Sequence, residues 1–330
     1  MAAVPKIPLS RRTTAVLVLL ACAGIAARQS AGRVEGVAFA RLKPSRYEAL
    51  SSSLYANGLA VARRLQPSVQ ARRIVSIIPA TTEMLFAMGA GDRVVAVGSY
   101  DRFPPEVAGL PRVGALLDPN VERIIALKPD LVVLYGTQAD LRMQLERARI
   151  PFYPYLHRGL PDVTQTIRSL GARVGVAAQA NALADRIEQQ LASTRTRVAR
   201  EARPKTLLVF GREAGTLRGI DASGGVGFLH DMLEAAGATD ALADVKQQSV
   251  MMSTELVLAR APEVIIELRY GRVDAAARDD LKVWNALASV PAVKNRQLFV
   301  LQGDEFVVPG PRVGDATARL AATLHPQAFR

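Results

Sequence analysis

Two stretches of the chain, residues 120–133 and 253–266, decide the fold because they read as copies of one structural element. The first is NVERIIALKPDLVV and the second is STELVLARAPEVII. Each opens with a residue that favours a helix N-cap, places a glutamate in the first turn and continues as a short apolar helix. Each helix stops at a proline and is followed by apolar residues typical of a buried strand. The sequence therefore predicts a helix–strand unit that occurs twice.

The glutamates of the two copies, Glu122 and Glu255, occupy the same place in the repeat. The helix dipole favours a negative charge in the first turn, so one such residue alone would need no functional explanation. Two at matching positions predict two similar lobes that each present a carboxylate to something symmetric and basic.

The N-terminus, residues 1–27, has the pattern of a secretory signal peptide. Arginines precede an apolar run over residues 15–27 that is short for a membrane span, with a retained N-terminal anchor as the alternative. The only cysteine, Cys22, follows Leu-Leu-Ala and resembles the lipidated cysteine of bacterial lipoproteins, whereas cleavage near Ala26 or Ala27 is the competing interpretation. We therefore expect a periplasmic or otherwise extracytoplasmic protein, lipid-anchored to a membrane if Cys22 is modified.

Composition limits the class of protein further. The 330 residues have room for two domains, and 49% hydrophobic residues supply a sizeable core. A mean hydropathy of +0.13 excludes a multispanning membrane protein. The net charge of +12 comes mostly from arginines scattered through helical patterns, with little aromatic interleaving, so nucleic-acid binding is not expected.

Strands and helices alternate from residue 72 onward, which predicts an α/β protein. We expect two similar α/β lobes with parallel sheets, over residues 72–160 and 204–330, joined by a single long backbone helix. Helical spacing of apolar residues places the linking helices, including the backbone helix, over residues 161–203. Residues 28–71 lack a clear period and are predicted to be a spacer.

This architecture resembles the helical-backbone (class III) substrate-binding proteins of ABC importers for cobalamin, haem and ferric siderophores, and most of all vitamin B12-binding proteins. The resemblance is carried by residues 73–83, 98–105 and 284–295 together with the two copies of the repeat. It implies a monomeric receptor, not an enzyme, that binds a metal chelate between its lobes and delivers it to a permease dimer with its ATPase. No permanently bound cofactor is expected, since cobalamin or another metal chelate is the transported ligand.

The resemblance also assigns individual residues. Glu122 and Glu255 match the family glutamates that dock onto arginines of the permease. Tyr100 matches a ligand-contacting tyrosine, Tyr135 falls where the B12 binders use a tryptophan, and residues 304–308 match a ligand-contacting loop. Position after a strand, without any resemblance, adds two arginines. The expected ligand contacts are Tyr100, Tyr135, Arg212, Arg269, Asp304, Glu305, Phe306 and Val308.

Departures from the B12-binding pattern leave the ligand open. Leu116 stands in place of a second cleft tryptophan, and Val308 stands in place of a loop arginine. Ferric siderophores are the alternative ligand. Ala115 occupies the place where haem binders carry their iron-ligating tyrosine, which disfavours haem. A bare-metal site is not expected, because the three histidines lie in widely separated segments.

An enzyme on a related two-lobed fold, such as a chelatase or hydrolase, is the alternative from a different class. The sequence shows no nucleophile with a neighbouring base. Such an enzyme would need a titratable pair, for which Asp304 and Glu305 are the candidates.

Overall fold

The computed structural model describes residues 70–270 and 275–330. The predicted signal peptide, Cys22 and nearly all of the predicted spacer lie outside these residues. Within them the chain forms two compact units. The N-terminal unit comprises residues 70–156 and Thr166–Asn181, and the C-terminal unit comprises His157–Gln165 and Ala182–Arg330. Both units are built from helices and strands, as the alternating pattern predicts.

The N-terminal unit contains a four-stranded parallel sheet. Its elements are β1 (Ile74–Ser76), α1 (Pro79–Ala87), β2 (Val94–Val97), α2 (Val121–Ala126), β3 (Leu131–Tyr135), α3 (Ala139–Arg147) and β4 (Phe152–Tyr155). The strands lie in the order β2-β1-β3-β4, and all their pairings are parallel. The inner strands, β1 and β3, are buried along their whole length, which is typical of parallel sheets with helical connections.

Two linking helices follow, α4 (Leu160–Arg173) and α5 (Ala177–Arg197). They are separated at Gly175, whose φ of +76° belongs to the left-handed region that glycine favours at a helix end. The 21 residues of α5 span about 31 Å at 1.5 Å per residue. The predicted long helix is therefore present. Of the three boundaries between the two units, one precedes α4 at Leu156, one falls inside α4 and one inside α5.

The C-terminal unit contains a mixed sheet, and here the prediction of a purely parallel sheet is wrong. The elements are β5 (Lys205–Gly211), β6 (Ile220–Ser223), α6 (Phe228–Ala235), β7 (Thr239–Asp240), β8 (Ser249–Met252), α7 (Thr254–Arg260), β9 (Val264–Arg269), α8 (Ala275–Asp280), α9 (Pro291–Lys294), β10 (Leu298–Gln302) and α10 (Val313–Leu324). The strand order is β10-β9-β5-β6-β8, with β7 beside β5. Strands β6 and β8 pair antiparallel, whereas β5, β9 and β10 are parallel.

The only tryptophan in the sequence, Trp284, lies in the core of the C-terminal unit. It is fully buried in a hydrophobic cluster with residues from β5, β6 and β9, including Leu207, Ile220 and Ile265. Trp284 therefore packs the second unit and has no surface available for a ligand in this structure.

Candidate functional site

The two copies of the repeat are helices α2 and α7, and each begins with the predicted N-cap. The side chain of Asn120 accepts a hydrogen bond from the backbone N–H of Arg123 at 2.9 Å, and that of Ser253 accepts one from Leu256 at 3.3 Å. Such caps satisfy N–H groups that the first helical turn leaves without a partner. Glu122 and Glu255 follow in the first turn of each helix, and both are exposed.

An acidic residue after each helix fixes the copy to the first strand of its unit. In the N-terminal unit, the carboxylate of Asp130 accepts hydrogen bonds from the backbone N–H groups of Arg72 at 2.8 Å and Arg73 at 2.9 Å. In the C-terminal unit, the carboxylate of Glu263 accepts one from the backbone N–H of Lys205 at 2.7 Å. The two copies are thus held in the same way.

A basic residue at the start of the first strand completes each anchor. The guanidinium of Arg73 donates to the carbonyl of Leu127 at 2.7 Å, at the end of α2. The ammonium of Lys205 donates to the carbonyl of Arg260 at 2.9 Å, at the end of α7. A positive charge at a helix C-terminus satisfies free carbonyls and complements the helix dipole. Each exposed glutamate therefore stands on a helix that is capped at its start and fixed at its C-terminal end to the first strand of its unit.

The carboxylate of Glu255 is stabilised by the start of its own helix. Its own backbone N–H and the hydroxyls of Ser253 and Thr254 lower its pKa below the ordinary value. Glu255 is thus ionised at neutral pH, and its charge is available to a basic partner.

The N-terminal unit exposes apolar side chains in the loops that follow its strands. Phe103 follows β2, Leu117 lies in the loop before α2, and Leu156 follows β4; their exposed fractions are 40%, 61% and 38%. Gln138, just after β3, donates to the carbonyl of Leu116 at 2.9 Å and so holds the second loop beside the strand ends. These side chains are the apolar surface that the unit exposes in loops near the carboxyl ends of its strands, the edge where α/β proteins bind ligands.

The predicted ligand residues of this unit flank that surface. Tyr100 is half-buried, and burial followed by the charge of Asp118 raises its pKa, so its hydroxyl stays protonated. Tyr135 is the last residue of β3; it is mostly buried and packs edge-on against Tyr155, with ring centroids 6.2 Å apart. Tyr100 is therefore the more accessible of the two, and the ligand role of both stays a prediction.

Asp101 lies directly beneath this surface and is buried. Burial raises its pKa to about 7, against the smaller opposing effects of the Thr82 hydroxyl and the Arg112 charge, while the nearby Glu83 raises it further. Arg112 instead donates to the main-chain carbonyls of Asp101 at 2.6 Å and Gly98 at 3.0 Å. A buried carboxyl group with this environment favours the neutral form.

Replacing Asp101 with Asn should remove a pH-dependent loss of stability. A carboxyl pKa of about 7 in the folded state, against about 3.9 unfolded, means that the unfolded state releases its proton first. The free energy of unfolding therefore falls as pH rises from 4 to 7 and is constant above, by at most about 4 kcal/mol. We expect urea titrations of Asp101→Asn to lack this fall.

The exposed Asp92→Asn is the matched control, since its side chain is 81% exposed. It should keep the pH dependence of the wild-type protein. Equal pH profiles for the wild type and Asp101→Asn would show that Asp101 does not titrate in this range.

In the C-terminal unit, Arg212 lies in a buried ion cluster at the ends of β5 and β9. Its guanidinium donates to Glu267 at 2.6 Å and lies 3.0 Å from Asp280, and its side chain is only 2% exposed. The indole N–H of Trp284 donates to Glu267 at 2.6 Å. Arg212 thus serves the packing of this unit, and its burial argues against the predicted contact with a ligand.

Arg269 belongs to the same cluster but reaches the surface. It donates to Glu267 at 2.9 Å and to Asp280 at 2.6 Å, with 25% of its side chain exposed. Burial acts to lower its pKa, but the two carboxylates outweigh this effect and raise it. The cluster of two arginines and two carboxylates is therefore neutral as a whole, and Arg269 offers a ligand only part of its charge.

The predicted ligand loop, residues 304–308, is fixed to α10. Glu305 forms ion pairs with Arg312 at 3.1 Å and with Arg319, whose guanidinium also lies 4.6 Å from the ring centroid of Phe306. Phe306 is fully buried and Val308 is nearly so, so in this structure neither side chain faces solvent. Asp304 is partly exposed.

The structure therefore groups the predicted residues differently from the sequence. It joins Arg212 with Arg269 through Glu267, and it joins Glu305 with Phe306 through Arg319. Asp304 and Glu305 do not form an isolated acidic pair, because arginines neutralise Glu305. Their contacts with a ligand stay predictions.

Residues 70–270 and 275–330 contain neither a metal-ligand cluster nor a membrane-spanning helix. Among them, no three His, Cys, Asp or Glu side chains cluster so as to hold a metal ion. Over the same residues, none of the helices is both long and apolar enough to cross a membrane. His157 is buried against Phe228, and burial lowers its pKa to about 4, so it is neutral.

Two α/β units, a long linking helix and a matched exposed glutamate on each unit define a solute-binding protein of the helical-backbone class. The sequence matches the periplasmic binding protein family over residues 74–305. The chain belongs to this family.

Individual relatives agree with the family. The chain is 30% identical over 202 residues to the vitamin B12-binding protein of Yersinia pestis (strain Pestoides F), covering 61% of this chain and 70% of the relative. It is 27% identical over 264 residues to the uncharacterized ABC transporter substrate-binding lipoprotein YvrC of Bacillus subtilis. This match covers 78% of the present chain and 82% of the relative. The structure of the periplasmic heme-binding protein RhuT from Roseiflexus sp. RS-1 is similar, with a TM-score of 0.66 and 26% sequence identity. The match covers 78% of the present chain and 99% of RhuT.

Proposed function

We propose that this protein is the extracytoplasmic receptor of an ABC importer, that it binds a metal chelate, with cobalamin favoured, and that it docks onto the permease through Glu122 and Glu255. The matched anchoring of α2 and α7 carries this proposal. Each helix is held by a carboxylate and a basic side chain of its own unit, and each presents one exposed glutamate. Charges on rigid supports can set the register of a complex with a basic two-fold partner.

The apolar surface of the N-terminal unit supports a large, flat ligand. Phe103, Leu117 and Leu156 offer apolar contact, and Tyr100 adds a protonated hydroxyl as a hydrogen-bond donor. A corrin ring combines an apolar face with polar amide groups, which suits such a surface. The vitamin B12-binding relative points to the same ligand.

Titration of the full-length protein with cyanocobalamin tests the ligand. We expect saturable one-to-one binding at micromolar affinity or tighter, followed by corrin absorbance and by calorimetry. Leu117→Ser should weaken binding about tenfold, because it removes an exposed apolar contact without touching the core.

Met143→Ser is the matched control, since Met143 is exposed on α3. It should leave the affinity unchanged. Absence of cobalamin binding would contradict the ligand but not the docking, and equal loss in both variants would contradict the assignment of the apolar surface.

A ferric siderophore is the second candidate ligand. Arg102 is exposed beside Phe103, and the partly exposed Arg269 lies at the strand ends of the other unit. Cationic side chains at these places would suit an anionic chelate. The same titration with a ferric hydroxamate separates the two candidates, because only a siderophore receptor should bind it.

Lipid attachment at Cys22 is part of the proposal. The lipoprotein among the relatives supports it, as does the sequence around the cysteine. The ligand is proposed to be cargo that is bound and released unchanged, without catalysis.

A further inference from the structure

The two glutamates lie on surfaces of different character. We define the Glu255 face as Met251, Glu255 and Leu258, and the Glu122 face as Asp118, Glu122 and Ile125. The members of the two faces correspond pair by pair at a constant spacing of the repeat. The faces therefore have the same construction, and their differences lie in side-chain chemistry.

The Glu255 face is apolar around its charge. Met251, at the end of edge strand β8, is 68% exposed, and Leu258, one helical turn after Glu255, is 42% exposed. Residues three apart on a helix share a face, so Leu258 lies beside Glu255. Met251 precedes the N-cap Ser253 by two residues and Glu255 by four.

The Glu122 face is charged. Asp118 occupies the place of Met251 and is exposed, and the exposed Arg123 occupies the place of Leu256. Ile125, which corresponds to Leu258, is 38% exposed and is the single aliphatic side chain of this face. The Glu122 face therefore offers a partner mainly charge, whereas the Glu255 face offers both charge and apolar area.

We propose that the two docking faces bind the permease by different forces: the Glu255 face through burial of Met251 and Leu258 around one ion pair, and the Glu122 face mainly through ion pairs. This inference rests on the docking proposed above. It predicts that the permease surface that meets the Glu255 face carries a cationic side chain bordered by an apolar patch. At both faces the glutamate carboxylate supplies the charge that is complementary to the partner.

Salt distinguishes the two forces. Ion pairs between exposed charges weaken as ionic strength rises, because the Debye length falls from about 10 Å at 0.1 M to about 3 Å at 1 M. Burial of apolar side chains does not depend on this screening. Removing the apolar contacts should therefore weaken binding by the same factor at low and high salt, whereas removing Glu122 should leave a complex that is less sensitive to salt.

The test measures binding of the full-length protein to nanodiscs that contain the purified permease–ATPase complex of its source organism, at 50 and 500 mM NaCl, with empty nanodiscs as reference. Met251→Ser/Leu258→Ser should weaken binding about tenfold at both salt concentrations and leave the salt dependence unchanged. Glu122→Gln should weaken binding at 50 mM and flatten the salt dependence. Met143→Ser, an exposed methionine elsewhere, should bind as the wild type does.

Several outcomes would overturn the inference. If Met251→Ser/Leu258→Ser binds normally while Glu255→Gln does not, docking stands but the apolar contact is wrong. If none of these variants affects binding, docking itself is wrong. Binding of the wild type to empty nanodiscs, lost in the serine variant, would assign the apolar side chains to a lipid surface. Loss of self-association in that variant, measured by mass photometry, would assign them to a second copy of the chain.

Discussion

Replacing Glu122 and Glu255 together with Arg is expected to reduce ligand uptake by more than about a hundredfold while leaving ligand affinity unchanged. Each reversal turns an attraction for a basic permease surface into a repulsion, and like charges across an interface cost several kcal/mol. The cost to folding should be small, because an exposed charge interacts only weakly with a helix N-terminus. Transport assays with radiolabelled ligand, alongside calorimetry of the purified protein, measure the two effects separately.

A control with the same change of charge is Asp140→Arg/Asp315→Arg. Asp140 lies in the first turn of α3 and Asp315 in the first turn of α10, so one exposed acid is reversed in each unit. This variant carries the same helix-dipole cost and the same net charge. If it abolished uptake as well, total charge and not docking would explain the result, and unimpaired uptake by the Glu122/Glu255 variant would refute the docking proposal.

Replacing Glu267 with Ala should lower the free energy of unfolding by about 3 to 5 kcal/mol, the cost of breaking a buried ion pair on one side. Glu267 is buried and accepts hydrogen bonds from Arg212, Arg269 and Trp284. Without it, Asp280 alone would face two guanidinium groups, and the indole N–H would be buried without its acceptor. Urea unfolding followed by Trp284 fluorescence reports on this cluster directly.

Asp244→Ala is the matched control for this prediction. Asp244 also pairs with an arginine, Arg260, at 2.7 Å, but 65% of its side chain is exposed. A surface pair of this kind contributes little to stability, so this variant should unfold almost as the wild-type protein does. A loss of less than about 1 kcal/mol in Glu267→Ala would mean that the cluster does not stabilise the C-terminal unit.

Much of the fold could be predicted from local pattern. The last helix, Val313–Leu324, is an example, because its apolar residues recur at helical spacing. Strands β6 and β8 were missed, and with them the antiparallel part of the sheet. Each has four residues, and β8 exposes Met251 next to the buried Met252, so neither shows the long apolar run that marked the parallel strands.

For the candidate site, too, local sequence pattern predicted some features correctly and failed on others. Sequence position alone identified Glu122 and Glu255 as an exposed matching pair, since caps and helix starts are read from consecutive residues. It also assigned Arg212 to a ligand, because a residue after a strand looks the same in sequence whether it faces solvent or the core, and the family resemblance assigned Phe306. Their burial depends on partners, Glu267 and Arg319, that lie on other elements.

The sequence by itself determined the repeated element, the α/β alternation and the two glutamates, because each of these depends on residues within a few positions of one another. Only the tertiary structure decided which contacts fix the two copies of the repeated element in their units. Asp130 reaches Arg72 across 58 positions of sequence, and Glu263 reaches Lys205 across the same number. Such contacts leave no periodic signal, since they depend on which strands become neighbours when the sheet forms.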